Sequence, residues 1–331
     1  MTDAKVSSYN IHSCVGADGL YSVDRVATVI REGDAQIVCL QEVEVNPAPM
    51  QTRIWSSRHG DDQPVAIASL AGGFHYHAFA PAIRSRASSR WKERHDFTSD
   101  RDVSGNFSDD RWKEKYNDDA AGNERSRTNA RNDDMGKFGI AILSKYPIVE
   151  IKTHQYRRYK RKTLRNAMAC LVSLPNNTLL WIVNTHLGCH FIGREQNQQA
   201  KELVSFIDSL EKYPKSCGVV VCGDLNSPPM FSTIRTIQNS GLVDMWQCCG
   251  GRGHNINGGT FPSDPKVLGM PSSCCLRKLI RLDYIFLHES GNAKDIICKC
   301  IYVQDGGVGC SLASDHFPVC AVFFCWLNRS G

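Results

Sequence analysis

One feature recurs along this chain and constrains it more than any other: a short apolar run that stops on a polar side chain. Val219-Val220-Val221-Cys222-Gly223-Asp224-Leu225-Asn226 runs apolar into a carboxylate and then an amide. Ala313-Ser314-Asp315-His316-Phe317-Pro318-Val319 sets a carboxylate beside an imidazole just ahead of another apolar run. Charged and amide groups at the ends of buried strands are costly unless something there pairs with them or binds them. These ends are therefore where chemistry is expected.

Strand-like runs cover Lys5–His12, Gln36–Val43, Gly139–Ser144, Asn166–Leu174, Leu179–Leu187, Val219–Asp224, Arg281–Leu287 and Val319–Leu327. Each is short, rich in β-branched, aromatic or cysteine side chains, and bounded by turn residues. Several are nearly continuous in hydrophobicity, which predicts burial on both faces. Helical periodicity is rarer. Val23, Val26, Ala27 and Ile30 share a face, with Ser22 as cap and Gly33 as stop. Ala200, Leu203, Ile207 and Leu210 do the same after Glu195, and Phe231, Ile234 and Ile237 open a third helix that ends near Gly241. The runs 166–174 and 179–187 flank a Pro-Asn-Asn turn and read as a hairpin. This pattern predicts an α+β chain with two sheets packed face to face and helices outside.

The chain has 331 residues, ordinary globular composition and a net charge of +5. We read it as a single domain over 1–331, with one interruption. From Arg84 to Asp134 there are twelve Lys/Arg and twelve Asp/Glu, and Val103 is the only Val, Ile or Leu. Such a stretch buries too little apolar surface to offset its ordering entropy, so a mobile insertion is expected. Trp91 and Trp112 are its candidate anchors, and a lid or nucleic-acid-binding arm is the functional reading. Six basic residues fall between Arg157 and Arg165; they suit a polyanion, a nuclear address or a solvated loop equally.

No apolar stretch is long enough to span a bilayer, and no apolar leader precedes the first strand. A monomer in the cytoplasm or nucleus is expected, with its 15 cysteines reduced. The adjacent pairs Cys248-Cys249 and Cys274-Cys275 and the tight Cys298-x-Cys300 do not have zinc-site spacing.

In chain order, the strand-end polar residues are Asn10, Glu42, His186, Asp224, Asn226, Asp283, Asp315 and His316. Two aligned sheets can gather them at one edge. Four carboxylates cannot all stay ionised together without a cation. Carboxylate and amide oxygens suit Mg²⁺ or Mn²⁺ rather than zinc. Such a site polarises a phosphoryl oxygen, while a carboxylate takes a proton from water and imidazole and amide groups donate to phosphate oxygens. No Gly-x-Ser-x-Gly turn supports serine-type catalysis. Asp244 reads as a turn or capping residue, and His75 and His77 as lining a strand face.

The segments Ser8-Tyr9-Asn10-Ile11, Leu40-Gln41-Glu42-Val43, Gly139–Ser144, Asn184-Thr185-His186-Leu187, Gly223-Asp224-Leu225-Asn226, Arg281-Leu282-Asp283-Tyr284 and Ser314-Asp315-His316 resemble the endonuclease/exonuclease/phosphatase superfamily, in its order. The resemblance spans nearly the whole chain outside 84–134. It implies a four-layered α/β sandwich and divalent-metal-dependent cleavage of phosphoester bonds. It assigns Asn10, Glu42 and Asp315 to the metal, and Asp224 to the attacking water. Asn226 and His186 would hold phosphate oxygens, and His316 would bind the scissile phosphate, oriented by Asp283. Arg165 and, more weakly, Thr260 match phosphate-facing positions.

Local features around Phe79–Ile83 and Thr185–Glu195 resemble the small soluble branch that includes neutral-sphingomyelinase-like proteins. The substrate is expected to be a phosphodiester. The basic run tilts it toward nucleic acid, and the branch resemblance and the lack of an aromatic stacking series tilt it toward a lipid head group. A phosphomonoesterase acting on inositol phosphates and a catalytically silent binding or scaffold module are the alternatives.

Overall fold

The computed structural model describes residues 2–46, 48–51, 58–86, 135–158, 164–189, 193–210, 216–249, 258–271, 277–288, 296–305 and 310–325. The strands are β1 (Thr2–Asn10), β2 (Ile37–Val45), β3 (Met50–Gln51), β4 (Arg58–His59), β5 (Tyr76–Arg86), β6 (Met135–Ser144), β7 (Ile148–Gln155), β8 (Asn166–Ser173), β9 (Leu179–His186), β10 (Ser216–Asp224), β11 (Leu242–Asp244), β12 (Asp283–His288), β13 (Ile296–Val303) and β14 (Val319–Cys325). The helices are α1 (Val23–Gly33), α2 (Gln63–Ala71), α3 (Arg194–Leu210), α4 (Ser232–Gln238), α5 (Met245–Cys249) and α6 (Cys310–Ala313).

Two six-stranded mixed sheets run in the orders β13-β14-β1-β2-β6-β5 and β11-β12-β10-β9-β8-β7. They pack face to face through β1, β2 and β6 on one side and β10, β9 and β8 on the other. The alternation within strands shows why. In β9, Leu180 and Ile182 enter the core between the sheets, while Trp181 and Val183 point outward under α3 and α4. In β10, Val220 and Cys222 face inward, and Val219 and Val221 face outward. Strands buried on both faces explain the near-continuous hydrophobicity of these runs. Helices α1 and α2 cover the outer face of the first sheet. The expected α+β sandwich of four layers is the fold observed.

Ser22 caps α1 by accepting from the Arg25 N–H at 3.3 Å, and the helix ends where Asp34 turns left-handed. The hairpin of β8 and β9 forms as expected, with Asn177 in a left-handed turn. Two parallel pairs place the functional ends. β1 pairs with β2 across α1, and β9 pairs with β10 across α3.

The charged segment starts later than its composition suggests. Residues 84–86 belong to β5 and pair with 135–137 of β6, Arg86 opposite Met135. Residues 87–134, with Trp91 and Trp112, lie outside the described residues, as do 159–163 of the basic run. Among the described residues, no helix is long and apolar enough to cross a membrane.

Buried amides fasten the two sheets to each other, and Asn184 makes the fullest of these contacts. Asn184 on β9 donates to the carbonyls of Leu40 on β2, at 2.9 Å, and Ala141 on β6, at 2.8 Å. Gln41 donates back to Asn184 Oδ1 at 2.8 Å. The β2–β6 register slips here, between Leu40 and Val43.

Two predictions follow from this arrangement. Asn184→Leu strands several buried partners at about 1–3 kcal/mol each, so it should lower unfolding free energy by about 3 kcal/mol in urea titration; a loss under about 1 kcal/mol would refute the clasp. Replacing 87–134 by a tight Asn-Gly turn should keep cooperative thermal unfolding by circular dichroism, because β5 and β6 are already paired at Arg86 and Met135.

Candidate active site

Register builds this site. His186 and Asp224 are partners across the parallel β9–β10 pair, and Asp224 and Asp283 are partners across the antiparallel β10–β12 pair. Three functional side chains thus stand abreast on neighbouring strands. Gly223 permits it: a Cβ there would lie 2.0 Å from the Thr185 carbonyl oxygen. From the first sheet, β1 ends at Asn10, and the slipped stretch of β2 turns Glu42 out with a φ of +56°. The segment Ser314–His316 leads into β14, whose Val319 pairs with Ser8 of β1.

Asp224 is the hub. Its Oδ2 accepts from Asn10 Nδ2 at 2.9 Å, and its Oδ1 accepts from the Asn226 N–H at 2.8 Å. The same Oδ2 lies 3.5 Å from His186 Nε2 and 3.9 Å from His316 Nε2. His186 Nε2 is 3.8 Å from Glu42 Oε1, and Arg165 Nη1 donates to His186 Nδ1 at 3.2 Å. Asn226, itself left-handed, holds the Leu187 carbonyl at 3.0 Å and stands 3.1 Å from His186 Nε2. The carboxylate of Asp283 meets His316 Nδ1 at 2.8 Å. Thr260 is fully buried, and its Oγ1 accepts from the N–H groups of Leu282 and Asp283 at 3.2 and 3.3 Å. That hydroxyl fixes the start of β12 and so acts on Asp283.

Burial pushes Asp224 up to about 7, with the Asp283 charge adding to it, while His316 and the Asn10 amide act in the opposite sense. For His316, burial works against the charged form but is outweighed by Asp283, Asp315 and Asp224, so the imidazolium persists well above its ordinary range. The region thus holds a carboxylate poised near neutrality beside a charged imidazole.

Glu42 provides the test of metal fit. Its Oε2 is buried and has no hydrogen-bond partner among the described residues. An anionic oxygen in that state calls for a cation. Asn10 and Asp315 supply further hard oxygen donors of the kind Mg²⁺ and Mn²⁺ take. Asp224, Asp283 and His316 also bring ligand atoms within 4.8 Å of one another. There, however, the 2.8 Å Asp283–His316 contact already fills the space between donor and acceptor.

A sequence model of the Endonuclease/Exonuclease/phosphatase family matches residues 7–316. The chain belongs to this family. No curated protein matches the sequence. Among solved structures, an endonuclease/exonuclease/phosphatase from Beutenbergia cavernae superposes with a TM-score of 0.66 at 17% identity, covering 98% of this chain and 72% of the other. A mannosyl-6-phosphatase from Bacteroides thetaiotaomicron gives 0.60 at 15% identity, over 96% and 98%. D. rerio TDP2, complexed with a single-strand DNA product, gives 0.57 at 14% identity, over 98% and 99%. At such identities the likeness is one of fold.

A second polar network was not foreseen. His12, Ser13 and Cys14 are three successive non-glycine residues at positive φ, 49°, 54° and 58°, a conformation costing about 1–3 kcal/mol per residue. Ser13 Oγ donates to Glu44 Oε1 at 2.8 Å, His59 Nε2 meets Glu44 Oε2 at 2.9 Å, and Gln63 Nε2 donates to the Ser13 carbonyl at 3.0 Å. Tyr21 stacks on His59 at 4.5 Å. The only hint in the sequence was a histidine two positions beyond Asn10. Asp244 is structural, as expected: it accepts from the Trp246 N–H and pairs with buried Arg281 at 2.8 Å. His77 lies on β5 and His75 just ahead of it.

The raised value of Asp224 has a consequence for stability. An acid that holds its proton longer when folded weakens the fold as pH climbs from its unfolded value, near 4, toward its folded one. Asp224→Asn removes that penalty. Metal-free Asp224→Asn should melt above metal-free wild type at pH 8, and the gain should shrink toward pH 4. An equal or lower melting temperature at pH 8 would contradict the assignment.

Proposed function

We propose that this protein is a divalent-metal-dependent phosphodiesterase that cleaves its substrate by direct attack of water. The observation carrying the proposal is the convergence on Asp224: one buried carboxylate touches Asn10, Asn226, His186 and His316, with the partnerless oxygen of Glu42 alongside. A divalent cation held by Glu42, Asn10 and Asp315 would supply positive charge to a phosphoryl oxygen.

The chain's own residues do the rest. Asp224, with both oxygens pinned by Asn10 and Asn226, accepts the proton of the attacking water. Asn226 and His186 donate to non-bridging oxygens from the β9–β10 side, with Arg165 behind His186. His316, kept charged and oriented by Asp283, faces them across Asp224 and stabilises the charge that develops at phosphorus.

The diester reading draws support from the basic residues Arg157, Arg158 and Arg165 beside β8 and from the DNA-product complex of the TDP2 neighbour. The mannosyl-6-phosphatase neighbour favours the second reading, a phosphomonoesterase with the same core.

Purified protein should hydrolyse bis-(p-nitrophenyl) phosphate faster than p-nitrophenyl phosphate with Mg²⁺ or Mn²⁺, and EDTA should abolish both. Asp224→Asn and His316→Ala should each lower kcat by about 10³-fold, since residues acting as a unit fail together. Activity that survives chelation, or a drop below about tenfold, would overturn the mechanism; a preference for the monoester would select the second reading.

A further inference from the structure

We infer that Glu44 is a positioning residue of the metal centre: it ties the left-handed turn after β1 to the slipped stretch of β2, and so sets Asn10 against Glu42. The inference rests on the metal reading above and extends it to Ser13, Gln63 and His59, side chains which that reading leaves unused.

Three observations carry it. First, the two candidate ligands stand where regular structure stops. The β1–β2 ladder ends with Asn10 opposite Gln41 and with the Ile11 N–H on the Gln41 carbonyl at 3.1 Å. Glu42 then sits at positive φ inside the slip between Leu40 and Val43, and His12, Ser13 and Cys14 are left-handed in succession. Such departures need other holds, because strained backbone persists only where its surroundings over-determine it.

Second, Glu44 supplies that hold. It lies two residues beyond Glu42 and is fully buried. Its Oε1 accepts from Ser13 Oγ at 2.8 Å, while its Oε2 accepts from Asn46 Nδ2 at 3.3 Å and meets His59 Nε2 at 2.9 Å. Gln63 doubles the link: its Oε1 accepts from the Glu44 N–H at 2.7 Å, and its Nε2 donates to the Ser13 carbonyl at 3.0 Å. Ser13 and Glu44 are thus joined once through side chains and once through backbone. The same turn grips the first ligand, since the His12 N–H donates to Asn10 Oδ1 at 3.0 Å. Third, the outer wall is fixed. His59 Nδ1 accepts from the Asp61 N–H at 3.2 Å, Tyr21 stacks on the ring at 4.5 Å, and Asp62 caps α2, whose first residue is Gln63. A buried carboxylate with its partners adds little net stability over apolar side chains, whereas a fully bonded polar network adds rigidity. The contribution of Glu44 is therefore geometric.

The test uses full-length, metal-free protein and needs no substrate. Mn²⁺ is titrated calorimetrically into wild type, Ser13→Gly, Glu44→Gln, their double variant, Glu42→Gln and Leu203→Ala, and each protein is melted by circular dichroism. Glutamine has one oxygen for donors on two sides. Glycine accepts left-handed backbone, so Ser13→Gly deletes the hydroxyl without strain and keeps the test decisive if Glu44→Gln folds poorly. Leu203, buried on α3 in the other core, is the stability control. Ser13→Gly and Glu44→Gln should each weaken Mn²⁺ about tenfold or more, as loss of a ligand's support does. The double variant should be no more than about twofold worse than the weaker single, because both break one path. Leu203→Ala should melt lower yet bind Mn²⁺ as wild type does. Single variants that melt lower but bind as wild type does, effects that multiply in the double variant, or equal weakening in Leu203→Ala would overturn the positioning role. Wild type that binds no Mn²⁺, or binds it regardless of Glu42→Gln, overturns the metal reading itself.

Discussion

The buried amide of Asn184 is the contact on which the geometry of this molecule turns. It reaches from β9 of one sheet to the Leu40 and Ala141 carbonyls on β2 and β6 of the other, and Gln41 returns a hydrogen bond. Apolar packing between two sheets is non-directional and tolerates sliding. Hydrogen bonds buried in a low-dielectric core do not, because a partner left unsatisfied there is expensive. Two residues after Asn184 the chain carries His186, and one residue after Gln41 it carries Glu42. The clasp therefore fixes register between the sheets just where their polar ends meet.

From that point the site follows by strand pairing. Parallel β9–β10 and antiparallel β10–β12 align His186, Asp224 and Asp283 in one row. The first sheet contributes Asn10, Glu42 and, beyond α6, Asp315 and His316. Crowding these groups produces the electrostatics: a carboxylate raised to about 7 by burial and a neighbouring charge, and an imidazolium sustained by three carboxylates. The slip in β2 and the left-handed turn after β1 are local departures from regular structure, and each presents a side chain to the cleft. Regular elements carry the scaffold, and strained backbone carries the aim.

Most of the core strands were legible because their sequences are apolar on both faces. The elements that escape sequence reading do so for local reasons. β7 and β13 are edge strands whose half-exposed, mixed polar sequences carry no strong period, and β5 holds Pro81 at a register slip. Helix α2, Gln-Pro-Val-Ala-Ile-Ala-Ser-Leu-Ala, has no polar face to set against an apolar one. The boundary of the charged insertion was missed by three residues because Arg84, Ser85 and Arg86 pair through backbone groups, which composition does not report.

The sequence by itself determined which carboxylates, amides and imidazoles end the strands, and in what order. It determined the layer architecture too, since alternation and continuity of apolar residues dictate which faces are buried. Tertiary structure decided which of these groups touch and in what state of charge. That Asp224 is the hub, that Thr260 serves Asp283, and that Ser13 and His59 close on Glu44 all depend on contacts between residues far apart in the chain. Local pattern encodes burial, but proximity across two sheets is set by register, and register is a property of the folded whole.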